Sequence, residues 1–277
     1  MIGRSILLAA ILLPGIAAAE SCPGNPEALG TARILAVDPA ATPRVGRKQF
    51  AATLPLAPKE VILTFDDGPW PGATNRVLDA LRHECVRATF FLLGRNAAAN
   101  PALARRELAE GHTLAHHTFS HPLLSRMSMA AAEREIDRGI AADERATYGS
   151  SGQAVGAAAD TQPLQPSLPK TPFFRFPGFA ASPALLDRMA ARKLAVFGAD
   201  LWAGDWNPMT PNQQLRLVLA RLDAAGRGIV LFHDTKQQTA AMMPAFLRAL
   251  KARGYRVVHV VAAGAPANLP ASGSAGP

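Results

Sequence analysis

Thr64-Phe65-Asp66-Asp67-Gly68-Pro69 sets two adjacent carboxylates at the end of an apolar run, Val61 to Phe65, and follows them with a Gly-Pro turn. Such a pair allows a division of labour, one acid binding a metal ion while its neighbour works as a base. A strand that stops on charged residues delivers them to one rim of a sheet, the rim where parallel α/β folds bind ligands. The same residues also spell an Asp-Gly-Pro turn without chemistry. His117-Thr118-Phe119-Ser120-His121, just past another expected strand, shifts the balance. Two imidazoles four residues apart lie on one side of a helical turn and can grip a single ion. Asp67 would complete three ligands and leave a fourth position for water, as in a catalytic rather than a structural zinc site. Thr118 stands where a His-Glu-x-x-His protease carries its catalytic Glu, which excludes that class.

Bringing these groups together requires a regular scaffold, and the apolar periodicity supplies one. The pattern predicts strand 61–65, helix 74–84, strand 88–92, helix 101–110, strand 112–116 and helix 129–147. A Gly-, Ser-, Pro- and Gln-rich insertion at 149–170 reads as a surface loop. Strand 173–176, a helix opened by Ser182-Pro183, strand 194–199 and a helix opened by Thr210-Pro211 follow, then strand 228–232, helix 240–253 and strand 255–261. Asn100-Pro101 is a helix start, with Asn as cap and Pro at the first helical position. Strands alternating with helices imply an α/β fold, a parallel sheet of about seven strands that can curl into a barrel. On that map Asp66 and Asp67 follow the first barrel strand, and His117 and His121 the third. Arg175 ends the fourth, Asp200 and Asp205 follow the fifth, and His233-Asp234 closes the sixth. Five segments on one rim is what a single active site requires.

The chain has 277 residues and is 49% hydrophobic, enough for one catalytic domain with a full core. Residues 1–19 read as a signal peptide: Arg4, the apolar Ile6 to Ile16, and Ala17-Ala18-Ala19 before the cleavage point. Residues 20–58 form an irregular N-terminal arm, 59–262 the catalytic domain, and 263–277 an uncharged tail expected to be disordered. The expected product is secreted or periplasmic, monomeric and not membrane-spanning. Export and an even count also allow Cys22 and Cys85 to pair as a disulfide. The net charge of +8 suits anionic envelope polymers, but the basic residues are scattered, without the basic-aromatic patch of a nucleic-acid binder.

Taken together, Thr64-Phe65-Asp66-Asp67-Gly68-Pro69, His117-Thr118-Phe119-Ser120-His121-Pro122, Arg175-Phe176-Pro177-Gly178, Asp205-Trp206 and Leu231-Phe232-His233-Asp234 resemble five ordered motifs. They are those of the polysaccharide deacetylases of carbohydrate esterase family 4, the NodB-homology domain. The resemblance implies a deformed (β/α) barrel and one divalent metal on Asp67, His117 and His121, zinc foremost, with cobalt, nickel or manganese as alternatives. It implies an acetylated glycan as substrate, with N-acetyl groups removed from peptidoglycan or chitin-like chains. An O-acetyl esterase or small-amide amidohydrolase of the same fold is the alternative. A non-catalytic carbohydrate binder fits less well, since it has no use for a base and an acid flanking an open metal.

By the same resemblance Asp66 is the base that takes a proton from the attacking water. A backbone N–H near Gly178 or Phe179 holds the oxyanion, and His233 protonates the departing amine. Arg175 pairs with Asp66, or else satisfies loop carbonyls. Asp205 belongs to the fourth motif, Trp206 packs under the acid or fills core, and Leu231 lines the acetyl pocket or is strand core. Many relatives carry a further acid three residues before Asp205, where this chain has Trp202, so Asp200 is expected to take over the tuning of His233, or else to cap the loop while Trp202 fills the space. His116 stands where relatives carry Asn and is expected to be a satisfied, half-buried histidine. Trp70 could form a sugar platform at the rim. His83 reads as solvated, and Met127, Met129, Met242 and Met243 as core filling.

Overall fold

A computed structural model describes residues 22–149 and 169–265. The expected signal peptide, most of the 149–170 insertion and the tail beyond 265 lie outside them. Three strands come first, β1 (Thr31–Val37), β2 (Arg44–Val45) and β3 (Glu60–Asp66), followed by α1 (Ala73–His83), β4 (Thr89–Leu92), α2 (Gly94–Ala99) and α3 (Pro101–Ala109). Next come β5 (Thr113–His116), α4 (Met129–Tyr148), β6 (Phe173–Phe174), α5 (Pro183–Ala191), β7 (Ala195–Phe197) and β8 (Leu201–Trp202). The chain continues with α6 (Pro211–Ala225), β9 (Gly228–His233), α7 (Gln237–Ala252) and β10 (Arg256–Ala262).

All the ladders are parallel, and the wall runs β8-β9-β3-β4-β5-β6-β7-β2. No ladder joins β8 to β7 or β2 among the described residues, so this is a deformed barrel whose sheet does not close. Two-residue periodicity sorts the side chains. Ile62, Phe91, Ala115, Phe173, Phe197 and Ile229 fill the interior. Val61, Leu63, Phe65, Phe90, Leu92, Val230 and Phe232 face outward and pack with residues of α1, α6 and α7 such as Val77, Leu222 and Phe246. The β1–β10 ladder starts beside β3 and reaches β5, where Thr113 Oγ1 donates to Val260 O at 2.6 Å. Val37, Val258 and Val260 thereby join the interior core and stop the amino end of the barrel.

Helix starts follow their capping chemistry. Ser182 and Thr210 accept from Leu185 N and Gln213 N, with Pro at the first helical position of α5 and α6. The sequence reading misses α2, because Gly94-Arg95-Asn96-Ala97-Ala98-Ala99 is one and a half turns with no side-chain cap and no apolar period. It also misses the two-residue strands β2 and β8, too short to show alternation. Helix α7 begins at Gln237 rather than 240, with consequences for the site.

The N-terminal arm is ordered. Cys22 and Cys85 form a disulfide that ties it to the end of α1, and Glu60 fastens Arg33 of β1 through contacts of 2.7 and 2.9 Å. The bond closes 63 residues of chain, which corresponds to about 4 kcal/mol of stabilisation through the unfolded state. A Cys22→Ser/Cys85→Ser double variant is therefore expected to lose about that much in denaturant unfolding, with the midpoint falling and the slope steepening as the unlinked denatured chain exposes more surface. Midpoints equal to wild type would contradict this.

Candidate active site

Alternation decides which rim residues meet. On β3, Ile62, Thr64 and Asp66 point inward; after β5, His117 continues the inward set of Thr113 and Ala115, and on β9 Leu231 and His233 share the inward face. Arg175, just past β6, is wholly buried and spends its donors inside the barrel. Nη1 reaches Asp66 Oδ1 at 2.6 Å and Thr64 Oγ1 at 2.9 Å, while Nε and Nη2 reach the carbonyls of Phe197 at 3.1 Å and Gly198 at 2.9 Å. Both readings of this arginine thus hold at once. Its guanidinium also lies 4.1 Å from the Phe91 ring centre. Burial pushes the Asp66 carboxyl above its usual range, against the pull of Arg175 and His233.

Asp67 leaves β3 with a positive φ of 77°, which turns its carboxylate back over the rim instead of continuing the outward set. Its carbonyl accepts from Asn96 Nδ2 of α2 at 2.7 Å, and its amide donates to Phe91 O at 3.2 Å. Gly68 follows because a Cβ there would run into the carboxylate of Asp234. Thr74 Oγ1 donates to that buried Asp234, which burial raises to about 7. Asn96 escapes the sequence reading together with α2.

The His117–His121 segment is not the expected helical turn. Thr118 and His121 both have positive φ, 69° and 68°, and the loop is held by α4 and α2 instead of by its own backbone. Phe119 N donates to Glu135 O at 3.2 Å, and Gly94 N and Arg95 N donate to the carbonyls of Thr118 and Phe119 at 2.9 and 3.0 Å. Gly139 permits this approach, since a Cβ there would collide with Thr118 and Phe119 backbone. The outcome resembles what the spacing promised: imidazole centres 5.0 Å apart, with His117 Nε2 3.6 Å and His121 Nε2 3.5 Å from Asp67 Oδ1.

These three side chains fit a divalent ion. Their ligand atoms lie within 4.8 Å of one another, and Asp67 Oδ1 is buried with no hydrogen-bond donor among the described residues. His117 Nδ1 is 2.7 Å from Arg175 O, so it carries the proton and Nε2 offers its lone pair. Burial lowers His117 to about 3, partly offset by Asp67, which keeps the ring neutral as a ligand must be.

Opposite the cluster stands His233. Its Nδ1 is 2.7 Å from Asp205 Oδ1, and its amide donates to Asp205 Oδ2 at 2.6 Å. Thr239 Oγ1 and Gln238 Nε2, brought in by the early start of α7, also hold Asp205, at 2.8 Å each. Burial alone would lower His233, but the hydrogen bond and charge of Asp205, with Asp66 and Asp67, lift it to about 9. A pKa raised above the unfolded 6.5 contributes stability fully below pH 6.5 that disappears as pH climbs through about 9. In Asp205→Asn the His233 ring is expected to titrate well below its wild-type midpoint, since burial then opposes only Asp66 and Asp67, and the alkaline loss of stability should shift down with it and shrink. NMR titration of the histidine rings checks it; an unmoved midpoint would reassign the shift.

Asp200 does not take the tuning role. Its oxygens accept from Arg47 N at 2.8 Å, Thr53 Oγ1 at 2.7 Å and Ile229 N at 2.8 Å, so it staples the arm to β9 where the wall lacks a ladder. Asp205 tunes His233 itself. His116 is buried rather than half-buried and faces outward from β5, with Nδ1 2.8 Å from Asp143 of α4, away from the cluster. Leu231 is buried in the barrel at the foot of the site, and Trp206 is 46% exposed with its ring edge-on to His233 at 6.0 Å, so it is wall and not core. Gly178 and Phe179 form a short 3-10 turn at the rim, in which Phe179 N–H already donates to Phe176 O at 2.9 Å. That amide would have to leave this bond to meet an oxyanion. Trp70 stays half exposed at the rim. Met242 and Met243 are core, whereas Met129 lies on the surface.

The family model for polysaccharide deacetylase matches residues 54–151. A peptidoglycan-N-acetylglucosamine deacetylase of Bacillus cereus is 31% identical over 213 residues, 75% of this chain and 89% of that protein. The chain belongs to the polysaccharide deacetylase family. Another member, a peptidoglycan-N-acetylglucosamine deacetylase of Listeria monocytogenes, is 32% identical over 202 residues, 73% of this chain. The match spans only 38% of the length of that longer relative. Among solved structures of the family, a peptidoglycan deacetylase of Bdellovibrio bacteriovorus superposes with a TM-score of 0.69 at 30% identity, covering 87% of this chain and 61% of the other. No helix among the described residues is long and apolar enough to cross a membrane.

Proposed function

We propose that this chain is a secreted, metal-dependent hydrolase that removes N-acetyl groups from amino-sugar polymers or oligomers such as peptidoglycan. One observation carries the reading: a buried carboxylate and a protonated imidazole flank the same three-ligand cluster. Asp66 has its proton affinity raised by burial while Arg175 holds it in place, which suits a base. His233, at about 9, carries a proton at neutral pH, which suits an acid. A divalent ion on Asp67, His117 and His121, zinc by the donor set, would supply Lewis acidity and make a bound water more acidic.

This chain's own residues account for the remaining steps. Asp66 takes a proton from the water whose oxygen adds to the acetyl carbonyl. His233 gives its proton to the amide nitrogen as the carbon–nitrogen bond breaks, and the products are acetate and a free amine. Asp205, fixed by Gln238 and Thr239, keeps the imidazole oriented throughout. Trp206 and Leu231 wall the acetyl side. Export is supported by the Cys22–Cys85 disulfide, a bond favoured outside the cytosol.

The test is acetate release by the purified, metal-loaded protein from peptidoglycan, chitooligosaccharides, O-acetylated xylan and small acetamides. Release from the amino-sugar substrates is expected. Release only from xylan or only from small amides would replace the substrate class while keeping the chemistry, and release from none would overturn the reading.

A further inference from the structure

The position three before Asp205 holds Trp202, and its surroundings extend the site. Trp202 pairs with Leu231 in the β8–β9 ladder, and Arg221 Nη1 holds its carbonyl at 2.7 Å. Its ring stacks on Phe179 at 6.4 Å and meets Trp206 edge-on at 5.7 Å, and Trp206 meets His233. An aromatic wall therefore leads outward from the proton donor. Such a wall suits the apolar faces of sugar rings.

Beyond the wall stands a cation. Lys48 Nζ lies 5.3 Å from the centre of the Trp202 ring, and Lys48 is exposed. The backbone beneath it is pinned: Lys48 N donates to Ala199 O at 2.9 Å, Arg47 N to Asp200 at 2.8 Å, and Ala199 N to Gln49 Oε1 at 2.8 Å. Among the described residues no carboxylate pairs with Lys48, and Asp200, in the same staple, accepts from Arg47 N, Thr53 and Ile229 N. The charge thus stands over an aromatic face on a pinned backbone, without a carboxylate partner among the described residues. A neutral glycan has no group to match it; a carboxylate does.

Resting on the deacetylase reading above, we propose that Lys48 determines specificity by recognising a carboxylate on a sugar neighbouring the one that is deacetylated. The substrate class is then an amino-sugar glycan bearing carboxylates, such as peptidoglycan with its lactyl ether groups, ahead of neutral chitin-like chains. Lys48 lies before the family-matched segment 54–151, so the N-terminal arm contributes to the site as well as to the barrel wall.

The experiment compares two peptide-free tetrasaccharides, one of N-acetylglucosamine alone and one alternating with its lactyl-ether derivative. Binding is followed by tryptophan fluorescence and turnover by acetate release, for the whole protein and for Lys48→Ala and Lys48→Arg. The carboxylated glycan is expected to bind about fivefold more tightly, an advantage that salt weakens. In Lys48→Ala the ratio of the two KM values should fall towards one with the ratio of kcat values unchanged, and Lys48→Arg should keep the preference. An unchanged ratio in Lys48→Ala, or equal binding by the wild-type protein, overturns the proposal. Lys48-dependent binding of the carboxylated glycan without acetate release from either glycan would leave Lys48 a carboxylate-recognition residue and overturn amino-sugar N-deacetylation as the reaction it serves.

Discussion

Replacing His117 by alanine is expected to strip the protein of its divalent ion and of nearly all turnover. His117 is the most constrained of the three candidate ligands: it is buried, neutral, and fixed through Nδ1 to the carbonyl of Arg175. Removing it leaves one imidazole and one carboxylate, too few for a stable catalytic site. Metal analysis after dialysis should show well below one ion per chain, against about one for wild type. His121→Ala should go the same way. Its imidazole is more exposed and held by a loop, so added metal is expected to restore part of its activity and little of that of His117→Ala. Full activity of the wild-type protein after exhaustive chelation would remove the metal from the account.

Asp66→Asn is expected to keep the ion and lose turnover by about 10² to 10⁴. The amide preserves the shape of the side chain but cannot take a proton. It also leaves the buried Arg175 without its charge partner, a change that costs about 3 to 5 kcal/mol when such a pair is broken. Thermal unfolding must therefore accompany the rates, and turnover is to be compared well below the variant's own midpoint. Asp67→Asn should do the reverse, weakening the ion directly, because Asp67 Oδ1 faces both imidazoles. Equal metal loss in the two variants would show that the adjacent carboxylates share the ligand role.

The relation between these two acids shows how far local rules reach. Asp66 and His117 have the same parity as the inward residues of their strands, Ile62 and Thr64 in one case, Thr113 and Ala115 in the other. A period of two is enough to send both to the interior, and to send His116 the other way. Asp67 breaks the parity, and only its positive φ turns it back over the rim.

Legible in the residues alone were the alternation of the longer strands and helices, the rim on which the five polar segments collect, the identity of the acids and imidazoles, and the even pair of cysteines. These follow from periodicity and from side-chain chemistry, which act within a few residues. Tertiary structure decided the rest. The His117–His121 loop takes its shape from α2 and α4, through Gly139 and Glu135, and not from a helical turn of its own. Asp200 turned to the arm because its partner amide belongs to Arg47, 153 residues away in sequence, and Asp205 reached His233 across 28. A carboxylate binds whichever donor the fold leaves unpaired within about 3 Å, and that choice is made only when segments distant in the chain have packed.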